Sequence, residues 1–284
     1  MRDDWVAEFF RRRWALLGMV VLLLALGTST FLLWGRSRAG PDQLVPLYTS
    51  SAPQWVAACS EVSDASHKSL VVANVQQGPG PAPVPAWEKI IDSCAGYGRA
   101  NVLGYVWTDY GRGGRGDLAS IEAQVRAWYA MYSGHVDGIF FDGVSDVVPG
   151  TGTSNRYFYR SLAGYVHRTE GMAAQVVFNF GTNPAAGWMF DATRALNANV
   201  IVTFEGSYDV AGQDPLTAWA PARWERRYPA SDFAALVHST PGTAALPQPV
   251  TACHALREKH LGYLYVGTSY DELPAYFSAF VHNC

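Results

Sequence analysis

From residue 44 to the C-terminus, short apolar runs alternate with stretches of helical period, a βα rhythm. The runs at residues 44–48, 69–75, 102–107, 136–142, 175–179, 200–205, 233–238 and 261–267 predict eight strands. Helices are predicted at 53–62, 87–97, 118–132, 157–170, 185–196, 217–226, 251–259 and 272–282, with Asp117 and Asp271 as start signals. VDGIFFD, QVVFN and NVIVTFE are apolar almost throughout, as strands covered on both faces must be. Eight βα units predict an α/β chain closed into a (β/α)8 TIM barrel. An open doubly wound sheet fits fewer strands and usually carries a glycine-rich phosphate turn after the first one, which is absent here.

Ahead of the barrel, residues 14–34 (WALLGMVVLLLALGTSTFLLW) carry no charge and are long enough to cross a hydrocarbon core of about 30 Å. They predict one N-terminal transmembrane helix, a signal anchor whose partner is the lipid bilayer. Arg11, Arg12 and Arg13 precede it, against Arg36 and Arg38 after it. That bias puts residues 1–13 in the cytoplasm and, beyond a 35–43 linker, the barrel at 44–284 in the periplasm or outside the cell. A cleaved signal peptide is the rival, since Ala25-Leu26-Gly27 offers small residues to a peptidase. The apolar run continues through Phe31, Leu32 and Leu33, which favours a retained anchor.

Charge and cysteines narrow the chemistry further. A formal net charge of −3, with no basic stripe beyond the membrane flank, gives a nucleic-acid partner little electrostatic basis. Cys59, Cys94, Cys253 and Cys284 all fall in the exported part, where disulfides persist. None has the spacing of a metal site, and no metal or cofactor is expected. Three pairings are open; Cys59 with Cys94 and Cys253 with Cys284 is preferred, because each pair then joins neighbouring outer helices.

A TIM barrel takes its chemistry from the C-terminal ends of its strands and the loops beyond. The polar groups there are Asn74, Thr108, Asp109, Asp142, Asn179, Glu205 and His238. Alternation puts Asp142 on one face with Phe140 and Gly138, and Glu205 on one face with Thr203 and Ile201, leaving Phe141 and Phe204 toward the helices. Two carboxyl groups over one cleft are the minimum equipment for glycoside hydrolysis: a proton donor, and a nucleophile or base. The bland alternative is that they cap strand ends or pair with a loop cation such as Arg112. Tyr110 and Tyr208, in polar glycine-flanked loops, are candidate platforms for sugar rings, whereas most other aromatics belong to the core. Serine hydrolysis has no support, since no G-x-S-x-G elbow occurs.

Six segments in order resemble the spherulin 4-like family (spherulation-specific family 4), which overlaps glycoside hydrolase family 135. They are VPLY (45–48), VANVQQGPG (72–80), LGYVWTDYGR (103–112), VDGIFFDG (136–143), VVFNFGTNP (176–184) and VTFEGSY (202–208). The resemblance implies a (β/α)8 barrel and, from the family's characterised fungal branch, endo-hydrolysis of an α-linked, galactosamine-containing exopolysaccharide. It carries over Asp142 and Glu205 as catalytic acids, with Asn74, Tyr105 and Asn179 lining the cleft; Asp109, Tyr110, Asp146 and Tyr208 complete the expected substrate-binding set. The expected function is an exported, membrane-anchored glycoside hydrolase that cuts an amino-sugar polysaccharide with two carboxylates. One position departs from the pattern: the family commonly reads Phe-Phe-Asp-Glu, and here Gly143 follows Asp142. Either Glu205 takes the proton-donor role with Asp142 as nucleophile, or Asp146 substitutes, or the chain is a carbohydrate-binding pseudoenzyme.

Overall fold

The computed structural model describes residues 41–284 except 65–68, 96–99, 114–116, 186–187, 191–196, 209–218 and 241–246. Eight parallel strands close into a barrel in chain order: β1 (Asp42–Pro46), β2 (Ser69–Ala73), β3 (Ala100–Trp107), β4 (Gly138–Asp142), β5 (Gln175–Asn179), β6 (Val200–Ser207), β7 (Phe233–His238) and β8 (Tyr263–Val266). Closure is made by β1 on β8, where Asp42 and Gln43 stand opposite Tyr263 and Leu264. The α-helices among the described residues are α1 (Ala52–Asp64), α2 (Pro85–Ala95), α3 (Leu118–Met131), α4 (Arg156–Glu170), α5 (Pro247–Arg257) and α6 (Phe277–Asn283).

Away from their ends the strands are mostly apolar on both faces, because each face has a layer to bury against. Partners in a parallel register share a face, so Val72, Leu103, Tyr105, Phe140, Val177 and Leu236 point into the barrel. Phe141, Phe178, Ile201 and Phe233 lie on the opposite face, under the helices. Burial of each such side chain contributes about 1.5–3 kcal/mol. Trp128 of α3 shows how close the outer layer approaches: its indole donates to the Tyr105 carbonyl at 2.9 Å, and a Cβ on Gly104 would meet its ring at 2.5 Å. Asp117 caps α3 by accepting from the Ser120 N–H at 2.9 Å, and the Ser120 hydroxyl with that N–H holds its carboxyl below the ordinary range.

Disulfides join Cys59 to Cys94 and Cys253 to Cys284, linking α1 to α2 and α5 to the residue after α6. Two predicted helices fail for the same reason. Residues 219–224 of the 217–226 run are irregular, followed by a 3-10 turn at Glu225–Arg227; Pro221 lacks the N–H a helix needs. The last run is irregular from Asp271 to Tyr276, and Pro274 falls inside it. The helix starts only at Phe277, with Tyr276 rather than Asp271 at its N-cap. In the 185–196 run the described residues give a 3-10 turn at Trp188–Phe190. Among the described residues no helix is long and apolar enough to cross a membrane; the predicted span at 14–34 lies outside them.

Candidate active site

Asp142 is the last residue of β4 and points into the barrel mouth, its place in the register opposite Trp107. Its Oδ2 accepts from the Tyr105 hydroxyl at 2.7 Å, and its Oδ1 from the Gly143 N–H at 2.9 Å and the Asn179 amide at 2.8 Å. The same Asn179 Nδ2 donates to Glu205 Oε2 at 2.6 Å. Two oxygens tied to one nitrogen at 2.8 and 2.6 Å lie no more than about 5.4 Å apart. The Gly181 N–H donates to Asn179 Oδ1 at 3.0 Å, which fixes the amide with its nitrogen toward the acids.

Glu205 reaches that amide only through an irregularity in β6. Val202 pairs with Ala234, but Phe204 pairs with Ala235, so Thr203 is an extra residue bulged out of the register. The bulge inverts the alternation beyond it. Glu205 then stands opposite Leu236 on the inner face and Phe204 faces the helices, while Ile201 shares the outer face with Phe233. The expectation that Glu205 shares a face with Ile201 is therefore corrected: in a regular strand it would have pointed outward with it.

Tyr270, in the loop after β8, donates to Glu205 Oε1 at 2.8 Å, and its carbonyl accepts from the Tyr48 N–H at 2.6 Å. The Tyr48 ring meets Tyr105 and Tyr270 edge-on, at centroid distances of 5.5 and 5.6 Å. Burial, then the charge of Asp142, raises the Tyr105 phenol far above its ordinary range; burial, then Glu205, does the same to Tyr270. Both hydroxyls stay protonated and serve as donors. Burial, then the charge of Glu205, raises the Asp142 pKa, opposed by the bonds from Tyr105, Gly143 and Asn179.

The remaining expected residues divide. Asp109 and Tyr110 form the turn beyond β3, where Asp109, Tyr110 and Gly111 have φ of 49°, 54° and 73°. Side chains in that left-handed region cost on the order of 1–3 kcal/mol each, so the turn must be held from outside. The Tyr110 N–H donates to the Gly143 carbonyl at 2.8 Å, and the buried Asn155 amide donates to the Tyr110 carbonyl at 2.8 Å. Asn155 is the N-cap residue of α4 but makes no side-chain cap bond; its amide serves the turn instead. Asn74 accepts the Gly78 N–H at 3.1 Å within the turn after β2. Asp146 is committed elsewhere than to the acid pair: its oxygens accept the Ala185 N–H at 2.5 Å and the Trp188 indole at 2.9 Å, tying the loop after β4 to the loop after β5. Tyr208 packs against the cluster that holds Phe204, Val237 and Val266.

Sequence reasoning missed Tyr48, Tyr270, Gly181 and Asn155. Tyr48 was within reach, because Leu44, Pro46 and Tyr48 alternate onto one face; Tyr270 and Asn155 carry no local signal at all. Among the described residues no group of three or more His, Cys, Asp or Glu is placed to hold a metal ion.

The family described as spherulation-specific family 4 matches residues 43–284. Sph3 from Aspergillus clavatus, solved in complex with GalNAc, superposes with a TM-score of 0.67 at 21% identity, over 87% of this chain and 98% of its own. That likeness shows the barrel fold. A family GH18 chitinase from Chromobacterium violaceum gives a TM-score of 0.47 at 12% identity, over 84% and 83% of the two chains. A β-mannanase from Streptomyces thermolilacinus gives 0.43 at 13%, over 86% and 88%. Curated protein sequences gave no match.

Proposed function

Taking as premise that the chain belongs to spherulation-specific family 4, we propose that its barrel hydrolyses a glycosidic bond in a galactosamine-type exopolysaccharide with Asp142 and Glu205 as a catalytic pair. The observation that carries this reading is the single Asn179 nitrogen bound to both carboxylates. Two acids so close do not both ionise cheaply, which suits a pair that shares one proton. We assign Asp142, whose two oxygens are held by three donors, the role of nucleophile, and Glu205 the role of proton donor.

In the first step Asp142 attacks the anomeric carbon while Glu205 gives its proton to the departing glycosidic oxygen. Water then displaces Asp142 from the sugar, losing a proton to Glu205. The facing oxygens Asp142 Oδ1 and Glu205 Oε2, no more than about 5.4 Å apart, are nearer the spacing of retaining enzymes than the ~6.5–9.5 Å that leaves room for a water in inverting ones, which supports retention of configuration. The GalNAc bound by the Aspergillus clavatus protein supports an amino-sugar substrate. The reading also places the barrel outside the cytoplasm, anchored by residues 14–34; two disulfides support an oxidising compartment.

The test is product analysis with the full chain and an α-linked galactosamine-containing polymer. Oligosaccharides should appear with the anomeric configuration retained, and Asp142→Asn or Glu205→Gln should lower kcat by on the order of 10²–10⁴. In intact cells, a membrane-impermeant protease should remove the barrel. Variants that cut as well as the parent would sink the assignment. Gly143 favours a second reading, a carbohydrate-binding protein without turnover, and polymer captured but left uncut would establish it.

A further inference from the structure

At Gly143, the position where the family pattern carries an acid, the space a side chain would take is filled by Trp107. A Cβ there would lie 2.6 Å from Trp107 Cζ3, 2.7 Å from Cη2 and 2.9 Å from Cε3, and the backbone has φ +65°. The outer edge of the indole fills the space that any side chain at 143 would enter. Trp107 ends β3 on the inner face, opposite Asp142 in the register, and is only partly buried. Tryptophan at 107 and glycine at 143 are therefore one steric unit beside the candidate nucleophile.

We propose that Trp107 is the aromatic platform of a sugar subsite next to Asp142, and that Gly143 exists to admit it. The strained turn beyond β3 supports this. Tyr110, held left-handed by Gly143 and Asn155, sets its ring edge-on to Trp107 at 5.3 Å and 82°. Arg112 lies over the other ring, 5.2 Å from the Tyr110 centroid. The Thr108 hydroxyl donates to the Gly143 carbonyl at 2.7 Å and locks strand end to loop. Backbone strain held in place by three outside groups is more than an inert filler requires. A flat, electron-rich face beside Asp142 suits the C–H face of a pyranose, whose hydrogens carry partial positive charge. It also places no third carboxylate beside the pair, where a further negative charge would hinder ionisation of Asp142.

The inference rests on the hydrolase reading, since the sugar must reach Asp142, and the test keeps the two apart. The full chain is compared with Trp107→Phe, which keeps an aromatic face, and Trp107→Leu, which keeps apolar bulk without one. Galactosamine-containing oligosaccharides serve as the probe, with affinity measured by calorimetry and turnover by product release. Trp107→Leu should raise Kd and KM about tenfold with kcat within about threefold, and Trp107→Phe should recover most of the loss. Gly143→Ala should lower the melting temperature of the parent clearly, and that of Trp107→Leu much less. If the parent binds and cuts while Trp107→Leu matches it, the platform is refuted and the hydrolase stands. If the parent neither binds nor cuts the probe, both readings fall.

Discussion

Asp142 and Glu205 meet at one amide but are delivered to it differently. Asp142 comes from a strand in regular register and receives three donors from its own neighbourhood, on β3, on β5 and just past the end of β4. Glu205 comes from a bulged strand, and its second donor is a tyrosine 65 residues further along the chain. The first carboxylate is positioned by secondary structure, the second by an exception to it. The difference teaches that a catalytic face can be set by one inserted residue as firmly as by alternation.

The largest effect should follow from undoing what that exception delivers. Inserting one alanine between Phe204 and Glu205 keeps the Thr203 bulge but advances Glu205 one place along β7, opposite Val237, and turns it toward the helices. Turnover should fall by on the order of 10²–10⁴, while circular dichroism still reports a folded barrel. A folded insertion variant with parental kcat would break the comparison.

A middle-sized effect should separate the two donors. Tyr270→Phe removes one of two bonds to Glu205, and Tyr105→Phe one of three to Asp142. Hydrogen bonds to a charged group contribute about 1.5–3 kcal/mol, so Tyr270→Phe should lower kcat/KM roughly 10–100-fold and Tyr105→Phe less. Equal losses would remove the asymmetry.

The smallest effect concerns stability. Burial and the charge of Glu205 raise the Asp142 pKa in the folded barrel, so ionising it costs the folded state more than the unfolded one. That cost is absent below the unfolded pKa, grows as pH rises, and is complete above the raised folded value. Asp142→Asn keeps the Oδ1 acceptor and removes the charge. At neutral pH it should melt higher than the parent, and the gap should close in strong acid. A variant that melts lower at neutral pH would show Asp142 to be stabilising instead.

Much of the frame was legible because it follows from burial. Strands β5 and β7 have the bounds their apolar runs predict, and Phe141 lies under the helices as alternation requires. The failures have local causes. Pro221 and Pro274 interrupt helical periodicity that apolar spacing alone continued through. The Thr203 bulge carries no glycine or proline to announce it. Asp146 looked like a spare acid because it follows the strand-end Asp142 closely, yet its partners, Ala185 and Trp188, lie some forty positions away, a separation of 39 and 42. Tyr270 is invisible for the same reason: its role is defined by closure of the ring, which no local pattern encodes.

Ring closure also sets a schedule. A nascent chain that has not yet made β8 already contains Asp142, Asn179 and Glu205, but it lacks Tyr270 and the seam with β1 that brings Tyr48 against it. The surroundings of Glu205 are therefore completed only by the final βα unit, and a polypeptide that stops short of it holds the acid pair without one of its donors.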